Sequence, residues 1–345
     1  MAGRLILAMR SGVNEEQFSE LAVELFEFQK KWNLPYANYC QTLGGYAEVT
    51  DWRDIPPVVT DVFKNPELCV VCGSASLVRH RFRTSGTTGE VQGTHLLHSL
   101  DVYESSIIAC WKELGLPNLS PWFLTPAHKD WPGSSLGHMM KVLEESLPEG
   151  GGHFVAADGA VDLRRLEHSL DHIDEPVLLC GTALAFVHLF EQLEDKSKTL
   201  ALPEGSRAFE TGGYKGSGRE TSKNDLYGMF ASYLGLPASS VINEYSMTEL
   251  SSQFYAEGLG QPHRGPSWAR VRIVDPATKA EVVEGETGFV QIFDLANLDS
   301  VLAIETRDLA IRRAQGAFEL IGRDPNSMPR GCSRSADEMM RGGAA

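Results

Sequence analysis

Apolar residues near the start of the chain recur at the spacing of a helix face. Phe18, Leu21, Leu25 and Phe28 follow one another at intervals of three or four residues, which is the period of an amphipathic α-helix. A stretch rich in aromatic residues and proline comes next and interrupts this period. The pattern predicts that residues 1–75 form an N-terminal helical cap on the core of the protein.

From Arg79 onward, strand-like and helix-like patterns alternate. Residues 100–114 have a helical pattern, whereas residues 121–125 and residues 176–180 are short apolar runs typical of buried strands. Strands that alternate with helices usually form a mainly parallel sheet. We therefore predict an α/β core over residues 76–265.

The pattern changes again near the end of the chain. Residues 269–274, 288–295 and 301–304 are strand-like and are separated by residues that favour turns. They predict a smaller β-rich subdomain over residues 266–333. Residues 334–345 end in two glycines and two alanines, so we expect a flexible tail there.

Composition narrows the possible partners. Of the 345 residues, 42% are hydrophobic and 22% are charged, which is typical of a globular protein. The 31 lysines and arginines are outnumbered by 46 aspartates and glutamates, and the net charge of -15 disfavours a nucleic acid partner. Every apolar run falls short of the roughly 18 residues that a membrane span needs. We expect a soluble, cytoplasmic protein without a signal peptide.

The cysteines indicate a reducing compartment. Six cysteines in a chain of this length are too sparse for a secreted disulfide scaffold. Cys69 and Cys72 form one Cys-x-x-Cys pair, and no second pair completes a zinc site. Residues 68–72 are apolar, so we interpret both thiols as small buried side chains of a strand. Redox or metal chemistry at this pair is the alternative.

A run of hydroxyl-bearing residues and glycines follows the strand candidate at residues 79–83. Glycines let backbone N–H groups turn inward, and small hydroxyl side chains add donors without blocking a phosphate. The common phosphate loop, which ends in Gly-Lys-Ser or Gly-Lys-Thr, is absent from this run. A polar hairpin turn is the alternative to an anion site. The run consists of Thr84, Ser85, Gly86, Thr87, Thr88 and Gly89.

A second cluster combines an aromatic ring, hydroxyls and carboxylates directly after an apolar pair. An aromatic face can stack on a purine, a hydroxyl can donate to a phosphate oxygen, and a carboxylate can hold Mg²⁺. The alternative is a strand followed by a helix that Ser246 or Thr248 caps. The cluster consists of Asn243, Glu244, Tyr245, Ser246, Met247, Thr248 and Glu249.

Two further polar positions lie near strand candidates at the end of the chain. Asp308 follows an apolar strand, and Arg323 follows a second apolar run. An aspartate at a strand end can accept hydrogen bonds from both hydroxyls of a ribose, and a nearby arginine can reach the same sugar or a phosphate. Either residue alone would most often belong to an exposed turn.

In this order, the four clusters resemble the adenylate-forming superfamily, which includes acyl-CoA synthetases and firefly luciferase. The resemblance covers residues 82–333 and is greatest to the acyl-protein synthetase group of bacterial bioluminescence, the LuxE type. It implies an α/β core similar to the N-terminal domain of the superfamily, with parallel sheets and a β-rich end, lacking the full mobile C-terminal domain. Segments typical of the LuxE group are Gly212-Gly213-Tyr214-Lys215, Met247-Thr248-Glu249-Leu250-Ser251-Ser252-Gln253-Phe254 and Arg330-Gly331-Cys332-Ser333.

The chain departs from the superfamily pattern at several positions. Ser246 and Arg307 replace glycines of the Tyr-Gly-x-Thr-Glu and Thr-Gly-Asp signatures, and Gln92 replaces the lysine that usually follows the phosphate loop. One positive contact to the triphosphate is therefore missing. The catalytic lysine of the mobile C-terminal domain also has no counterpart, so either another cation serves or adenylation is slow. Lys215 is the candidate, and a solvated loop lysine is the alternative.

The resemblance implies a reaction in which a substrate carboxylate attacks the α-phosphate of ATP and pyrophosphate leaves. It assigns phosphate binding to the run from Thr84 to Gly89, the α-phosphate contact to Thr248 and the Mg²⁺ ligand to Glu249. Tyr245 would stack on adenine, and Asp308 with Arg323 would hold the ribose. The other expected nucleotide-binding residues are Gly212, Gly213, Tyr214, Asn243, Glu244 and Ser246.

Two more residues are candidates for the acyl half of the reaction. His138 lies where the superfamily often has a residue that lines the acid site, and a packed histidine at a helix start is the alternative. Cys332 lies between Gly331 and Ser333 and is flanked by arginines that favour a thiolate. It is a candidate acyl acceptor, and an incidental tail residue is the alternative.

The sequence therefore predicts an enzyme that uses ATP and Mg²⁺ to activate a carboxylic acid, with a fatty acid as the expected substrate. The acyl group would pass from acyl-AMP to a thiol, either a cysteine of this protein or of a partner protein, or coenzyme A. We expect neither a nucleic acid partner nor a membrane span. The alternative is a non-catalytic nucleotide-binding or regulatory protein that retains the adenylating fold.

Overall fold

The computed structural model describes most of the chain and divides it into two compact units. The first unit comprises Met1–Leu114, Met247–Gln253 and the chain from Pro262 onward, and the second comprises Gly115–Ser246 and Phe254–Gln261. The domain boundaries expected from the sequence, after residues 75, 265 and 333, stay a prediction. The described residues are 1–44, 49–84, 91–156, 159–212 and 221–324.

Three helices begin the chain, helices and strands alternate through the middle of the described part, and its last six strands have no α-helix between them. The helices are α1 (Ala2–Ser11), α2 (Glu15–Trp32), α3 (Leu34–Thr42), α4 (Asp101–Glu113), α5 (Ser135–Ser146), α6 (Leu163–Leu170), α7 (Ala183–Asp195) and α8 (Lys223–Leu234). The strands are β1 (Val58–Val59), β2 (His80–Arg83), β3 (Thr94–Leu97), β4 (Ser120–Phe123), β5 (Gly152–His153), β6 (Val177–Thr182), β7 (Arg207–Thr211), β8 (Val241–Tyr245), β9 (Phe254–Glu257), β10 (Ala269–Val274), β11 (Thr287–Asp294), β12 (Ala303–Arg312) and β13 (Phe318–Arg323).

Helix α2 confirms the helix that the apolar spacing predicts near the start of the chain. Asn14 and Gln17 form a capping box that satisfies free N–H groups at the helix N-terminus. Phe18, Leu21 and Leu25 are buried on one face, as their spacing predicted. The helix is therefore specified both by its cap and by its apolar stripe.

The first unit contains a mixed sheet with the strand order β1-β12-β11-β10, in which β13 also pairs with β12. Strand β1 is parallel to β12, and the other pairs are antiparallel. Strands β2 and β3 form a separate antiparallel pair. The three strands predicted near the end of the chain are confirmed as β10, β11 and β12. The third differs in its bounds, because β12 spans Ala303–Arg312 and the prediction covered residues 301–304.

The second unit is built on a six-stranded sheet with the order β5-β4-β6-β7-β8-β9. All of its pairs are parallel except β8 with β9. Side chains of β6 and β7 share a core with α6, α7 and α8, in which Phe186, Phe190 and Phe230 are almost fully buried. The expected α/β class with a mainly parallel sheet is confirmed.

One predicted strand is wrong. Residues 68–72 form no strand, because their backbone bonds to a loop instead of to a sheet neighbour. The Cys72 N–H donates to the carbonyl of Asp299 at 2.7 Å, and the Cys72 thiol lies 3.7 Å from the carbonyl oxygen of Leu298. Among the described helices, none is long and apolar enough to cross a membrane.

Candidate active site

In the second unit, two motif segments begin where neighbouring parallel strands end. Strand β7 ends at Thr211 and β8 ends at Tyr245, and Thr211 lies opposite Glu244 in the pairing of these strands. Gly212 follows β7 with a φ of +74°, a conformation that glycine adopts without strain. Ligands of α/β proteins bind at this carboxyl edge of the sheet. The fold thus brings Gly212, Glu244 and Tyr245 to one edge.

A buried polar network connects β7, β8 and α8 at the same edge. The Asn243 side-chain amide donates to Glu210 at 2.7 Å, and the Lys223 ammonium donates to the Asn243 side-chain oxygen, also at 2.7 Å. The next residue pair along the same strands faces the other side of the sheet, and there the Thr211 hydroxyl donates to Glu244. Both ends of the Asn243 side chain are therefore held in one orientation.

Burial raises the pKa of the Glu210 and Glu244 carboxyl groups. It raises the pKa of Glu210 to about 7, although the positive charge of Lys223 acts in the opposite direction. Burial also raises the pKa of Glu244 to about 6, against hydrogen bonds from Ser246 and Thr211 that lower it. Buried carboxyl groups with raised pKa values at a strand edge are candidates for a functional site.

Glu210 and Lys223 were not among the site residues predicted from the sequence. The available signal was a glutamate inside the otherwise apolar strand β7, because a charged residue at such a position is rarely buried without partners. Lys223 carried no such signal, since it occupies the first turn of a helix. Its contact with Asn243 depends on the packing of α8 against the sheet.

Tyr245 is buried at the end of β8. Its side chain is 7% exposed, and its ring lies 6.3 Å from the ring of Phe254 on the adjacent strand. The residues that follow form a turn in which the Leu250 N–H donates to the Met247 carbonyl at 3.0 Å. No helix follows β8 in this described segment, so the alternative of a capped helix at Ser246 or Thr248 is wrong.

In the first unit, Thr84 and Gly93 close the base of the glycine- and hydroxyl-rich loop. The Thr84 N–H donates to the Gly93 carbonyl at 2.9 Å, and the Gly93 N–H donates to the Thr84 hydroxyl at 2.8 Å. These two residues hold the ends of the loop together. Ser85 to Gly89, which carry most of the predicted phosphate-binding groups, lie outside the described residues.

The backbone at Gly93 lies beside both Thr84 and Glu249. A Cβ added at Gly93 would be 3.0 Å from the Thr84 methyl carbon and 3.5 Å from a Glu249 carboxylate oxygen. Glu249 itself is 6% exposed. The first unit therefore brings together the start of the predicted phosphate loop and the predicted metal ligand, which are far apart in the sequence.

The donors at this point fit a magnesium ion. Mg²⁺ usually takes one or two carboxylates together with phosphate oxygens of the substrate and water, and avoids nitrogen and sulfur ligands. Glu249 supplies a buried carboxylate, and the hydroxyl of Thr84 lies nearby. Within the described residues, no group of three or more histidine, cysteine, aspartate or glutamate side chains forms a metal cluster. A carboxylate that shares the ion with a phosphate needs no such cluster.

Strands β12 and β13 bring the last two motifs together. Asp308 and Arg323 are direct partners in the antiparallel pairing of these strands, so their side chains lie on the same face. The Asp308 N–H donates to the Thr306 hydroxyl at 3.1 Å. Arg307, which replaces a glycine of the superfamily signature, forms an ion pair with Asp61 at 3.2 Å.

His138 lies in the first turn of α5, within the second unit. It is 3% exposed, and its Nδ1 atom lies 3.4 Å from Nε2 of His128. Burial lowers the pKa of His128, and the charge of Lys141 lowers it further. The expected role of His138 at the acid site stays a prediction. Gly213, Tyr214, Lys215 and Cys332 lie outside the described residues.

A family model for the acyl-protein synthetase LuxE matches residues 8–341 of this chain. The chain belongs to the LuxE acyl-protein synthetase family. The family and the ligase fold make it an adenylate-forming acyl ligase, as the sequence predicted. Ligases of this class use ATP to activate a carboxylic acid and then transfer the acyl group.

A LuxE-family relative in Vibrio harveyi is a long-chain-fatty-acid–luciferin-component ligase. It is 21% identical to this chain over 341 residues, which cover 93% of this chain and 87% of the relative. The match therefore extends over nearly the whole of both proteins.

Two solved structures show that this LuxE-family chain has the adenylate-forming fold. One is an open conformation of 2-hydroxyisobutyryl-CoA ligase in complex with 2-HIB-AMP and CoA, which matches with a TM-score of 0.65 at 15% sequence identity. The alignment covers 90% of this chain and 74% of the ligase chain. The other is McyG A-PCP complexed with phenylalanyl-adenylate, which matches with a TM-score of 0.51 at 18% sequence identity. The alignment covers 72% of this chain and 47% of the McyG chain. At these identities the likeness concerns the fold alone.

Proposed function

We propose that this enzyme activates a fatty acid with ATP and transfers the acyl group to a thiol. In the first step, a carboxylate oxygen of the acid attacks the α-phosphorus of ATP, the bond from that phosphorus to the pyrophosphate breaks, and pyrophosphate leaves. In the second step, a thiolate attacks the acyl carbon of the acyl-AMP, and AMP leaves with the bonding electron pair. Positioning and electrostatic stabilisation supply most of the catalysis in such phosphoryl chemistry.

The single observation that carries the proposal is the approach of Glu249 and Thr84 at Gly93 in the first unit. A carboxylate within van der Waals reach of a glycine that closes a hydroxyl-rich loop suits a magnesium–phosphate group. When bound, Mg²⁺ would neutralise charge that develops on the phosphate oxygens. In this proposal Glu249 holds the ion, the Thr84 hydroxyl faces the phosphates, and the Thr248 hydroxyl contacts the α-phosphate.

The remaining nucleotide contacts are assigned to residues on strands or directly after them. Asp308 lies within β12 and not after a strand as the sequence predicted, whereas Arg323 is the last residue of β13. Asp308 accepts hydrogen bonds from the ribose hydroxyls, and Arg323 contacts the same sugar. Tyr245 presents its ring to adenine, and Gly212 leaves room for the base because a Cβ added there would meet no atom of the described residues within 4 Å. Support for the ribose assignment comes from the cross-strand pairing of Asp308 with Arg323.

The proposed acid substrate is a fatty acid, with His138 near its carboxylate. The activity of the Vibrio harveyi relative, a long-chain-fatty-acid–luciferin-component ligase, supports a fatty acid, since that protein is aligned over 93% of this chain. The pair of His138 and His128 supplies a polar spot among buried apolar residues of α5 such as Met139 and Leu143. A polar spot beside apolar walls suits a carboxylate with a hydrocarbon tail.

We further propose Cys332 as the protein thiol that receives the acyl group. The five described cysteines are free thiols, and all except Cys69 are buried. Burial raises the pKa of Cys40 and of Cys72 to about 12, and it also raises the pKa of Cys69 and Cys180. Such thiols are poor nucleophiles at neutral pH. The arginines that flank Cys332 in the sequence favour a thiolate instead.

Protein labelling tests the thiol step. The chain is incubated with ATP, Mg²⁺ and a radiolabelled fatty acid, denatured, and treated with neutral hydroxylamine, which cleaves thioesters. We expect label that hydroxylamine releases, its loss in Cys332→Ser, and its retention in the matched variant Cys69→Ser. Label that persists in Cys332→Ser would disprove this acceptor, and consumption of coenzyme A without protein label would favour the free thiol.

Pyrophosphate exchange tests the first step. An adenylating enzyme incorporates labelled pyrophosphate into ATP only when its acid is present. We expect exchange with fatty acids and its loss in Glu249→Gln, which keeps the side-chain shape but removes the charge. ATP binding without exchange for any acid in a panel of fatty and aromatic acids would instead identify a non-catalytic nucleotide-binding protein.

A further inference from the structure

The carbonyl of Thr248 is held by a buried histidine of strand β3. Nδ1 of His95 lies 2.8 Å from the Thr248 carbonyl oxygen, and Nε2 lies 2.9 Å from the Ser300 hydroxyl. A carbonyl can only accept a hydrogen bond, so Nδ1 must carry the proton. Nε2 of the neutral ring then accepts from Ser300. His95 is 1% exposed, and these partners use both of its nitrogens.

The carbonyl of the next residue is held in the same way by a buried amide. The Asn297 side-chain amide donates to the Glu249 carbonyl at 2.9 Å and to the Val301 carbonyl at 3.2 Å. Asn297 has no exposed surface. Two consecutive carbonyls, those of Thr248 and Glu249, are thus fixed by side chains from separate parts of the first unit.

Asp294 fixes the end of the same segment. Its carboxylate accepts from the N–H groups of Ser251 and Ser252 at 3.0 and 2.8 Å, and from the Ser252 hydroxyl at 2.7 Å. It also accepts from the N–H of Ala296 at 2.9 Å. The segment from Thr248 to Ser252 therefore has almost no freedom to shift while these buried bonds are made.

We propose that His95 and Asn297 are positioning residues that hold Thr248 and Glu249 in the geometry needed for adenylation. The inference rests on the proposed function, because it assumes the phosphate and metal contacts of Thr248 and Glu249. Neither His95 nor Asn297 touches the reacting atoms in this proposal. Each acts through the backbone of its partner, and Asp294 anchors the following residues.

The bonds explain why polar residues occupy fully buried positions here. A buried carbonyl can be satisfied by ordinary backbone pairing, but the turn after β8 has no neighbouring strand at Thr248 or Glu249. Side-chain donors supply the missing partners. Because a displacement of about 1 Å at a reacting group can cost about a hundredfold in rate, the donors constrain catalysis as well as the fold.

Two substitutions of His95 separate its two hydrogen bonds. The amide nitrogen of asparagine superimposes on Nδ1 of histidine, and that of glutamine superimposes on Nε2. His95→Asn can therefore keep the bond to the Thr248 carbonyl, whereas His95→Gln keeps only the bond towards Ser300. Asn297→Asp removes the donor to Glu249 without changing the side-chain shape, and it is independent of the histidine variants.

The control is a buried hydrogen bond elsewhere in the first unit. The Tyr36 hydroxyl donates to the Pro56 carbonyl at 2.9 Å, and Tyr36 is fully buried. Tyr36→Phe removes the hydroxyl that donates to this buried carbonyl, at a position away from Thr248 and Glu249, so it reports the effect of lost stability alone. Each variant is first checked by circular dichroism and thermal unfolding to confirm that it folds.

The measurement is acid-dependent pyrophosphate exchange, with kcat, the KM for the fatty acid and the Mg²⁺ dependence determined for every variant. We expect His95→Gln and Asn297→Asp to lower kcat by about ten- to a hundredfold and to need more Mg²⁺, while the KM for the acid stays nearly constant. His95→Asn should stay close to the unaltered chain, and so should Tyr36→Phe.

Equal kcat values for His95→Asn and His95→Gln, or values for His95→Gln and Asn297→Asp that match Tyr36→Phe, would overturn the positioning role. The proposed function fails in a different way. If the unaltered chain exchanges no pyrophosphate with any acid, adenylation itself is contradicted, and the positioning role falls with it. If the unaltered chain exchanges pyrophosphate and Glu249→Gln abolishes the exchange, adenylation is supported. The variants of His95 and Asn297 then test the positioning role by itself.

Discussion

Asp308 and Arg323 lie directly opposite each other on the neighbouring antiparallel strands β12 and β13. The pairing places two residues with ribose-binding chemistry on one face of the sheet. From the sequence alone, Asp308 and Arg323 could equally have belonged to two separate exposed turns. The register between the strands therefore supplies the relationship on which the ribose assignment depends.

Removal of the Asp308 carboxylate should weaken ATP binding. A hydrogen bond to a charged group contributes about 1.5–3 kcal/mol, so Asp308→Ala should raise the Kd for ATP by roughly ten- to a hundredfold. Isothermal titration calorimetry measures this change directly. Glu319→Ala, on the same sheet, removes a carboxylate that pairs with Arg313 and should leave the Kd unchanged. An unaltered Kd in Asp308→Ala would refute the ribose assignment.

A methyl group at Gly93 should impair adenylation. In Gly93→Ala the new Cβ would lie 3.0 Å from the Thr84 methyl carbon, so the Thr84 side chain must shift by a few tenths of an ångström, beside a Glu249 oxygen that is 3.5 Å from the same Cβ. We expect kcat for exchange to fall by about tenfold. Gly228→Ala is the control, since a Cβ at this exposed position of α8 meets no atom of the described residues within 4 Å. Wild-type exchange in Gly93→Ala would show that this approach of Thr84 and Glu249 is not used.

Local patterns predicted the elements well, because their causes are local. The alternating residues of β10 and the apolar stripe of α2 each specify one element without reference to the rest of the chain. The strand expected at residues 68–72 was wrong because an apolar run does not reveal whether a sheet neighbour exists. Its backbone bonds instead to the loop that contains Asp299.

The motif residues could be identified from the sequence, whereas the residues that hold the motifs in place could not. Thr248 and Glu249 stood out because hydroxyl, aromatic and carboxylate groups cluster around them in the sequence. His95 and Asn297 have no such neighbours, and their role follows from contacts across the fold of the first unit. Glu210 gave a partial signal as a charged residue in an apolar strand.

Glu210 should make the protein less stable as the pH rises through neutrality. Its pKa is raised by burial from 4.5 to about 7, so the folded state binds a proton that the unfolded state has lost over this interval. The stability that comes from this proton is complete below about pH 4.5 and is lost as the pH approaches 7. Glu210→Gln keeps the acceptor for Asn243 but cannot ionise.

Urea unfolding tests this effect in the Glu210→Gln variant. We expect the variant to be more stable than the unaltered chain at about pH 8 by on the order of 2 kcal/mol, with a much smaller difference at about pH 5. The charge of Lys223 opposes the shift, and that of Glu244 adds to it. Glu204→Gln, an exposed change in the same unit, is the control. A difference between the variant and the unaltered chain that does not depend on pH would contradict the assignment.

His95 should make the protein less stable as the pH falls below about 6.5. Burial lowers its pKa from 6.5 to about 4, against the hydrogen bond to Thr248 and the charge of Asp299, which raise it. Between these values the unfolded state binds a proton and the folded state does not. Stability is therefore lost as the pH falls from about 6.5 to about 4, by roughly 1 kcal/mol per pH unit. His95→Asn should show a shallower decline, and an unchanged slope would contradict a neutral, buried His95.

The central claim is that this chain forms an acyl-adenylate, and acid-dependent pyrophosphate exchange tests it most directly. Purified chain is incubated with ATP, Mg²⁺, labelled pyrophosphate and each member of a series of fatty acids, with Glu249→Gln measured in parallel. The account predicts labelled ATP only when a fatty acid is present, and none in the variant. Absence of exchange with every acid, or exchange that survives Glu249→Gln undiminished, would contradict it.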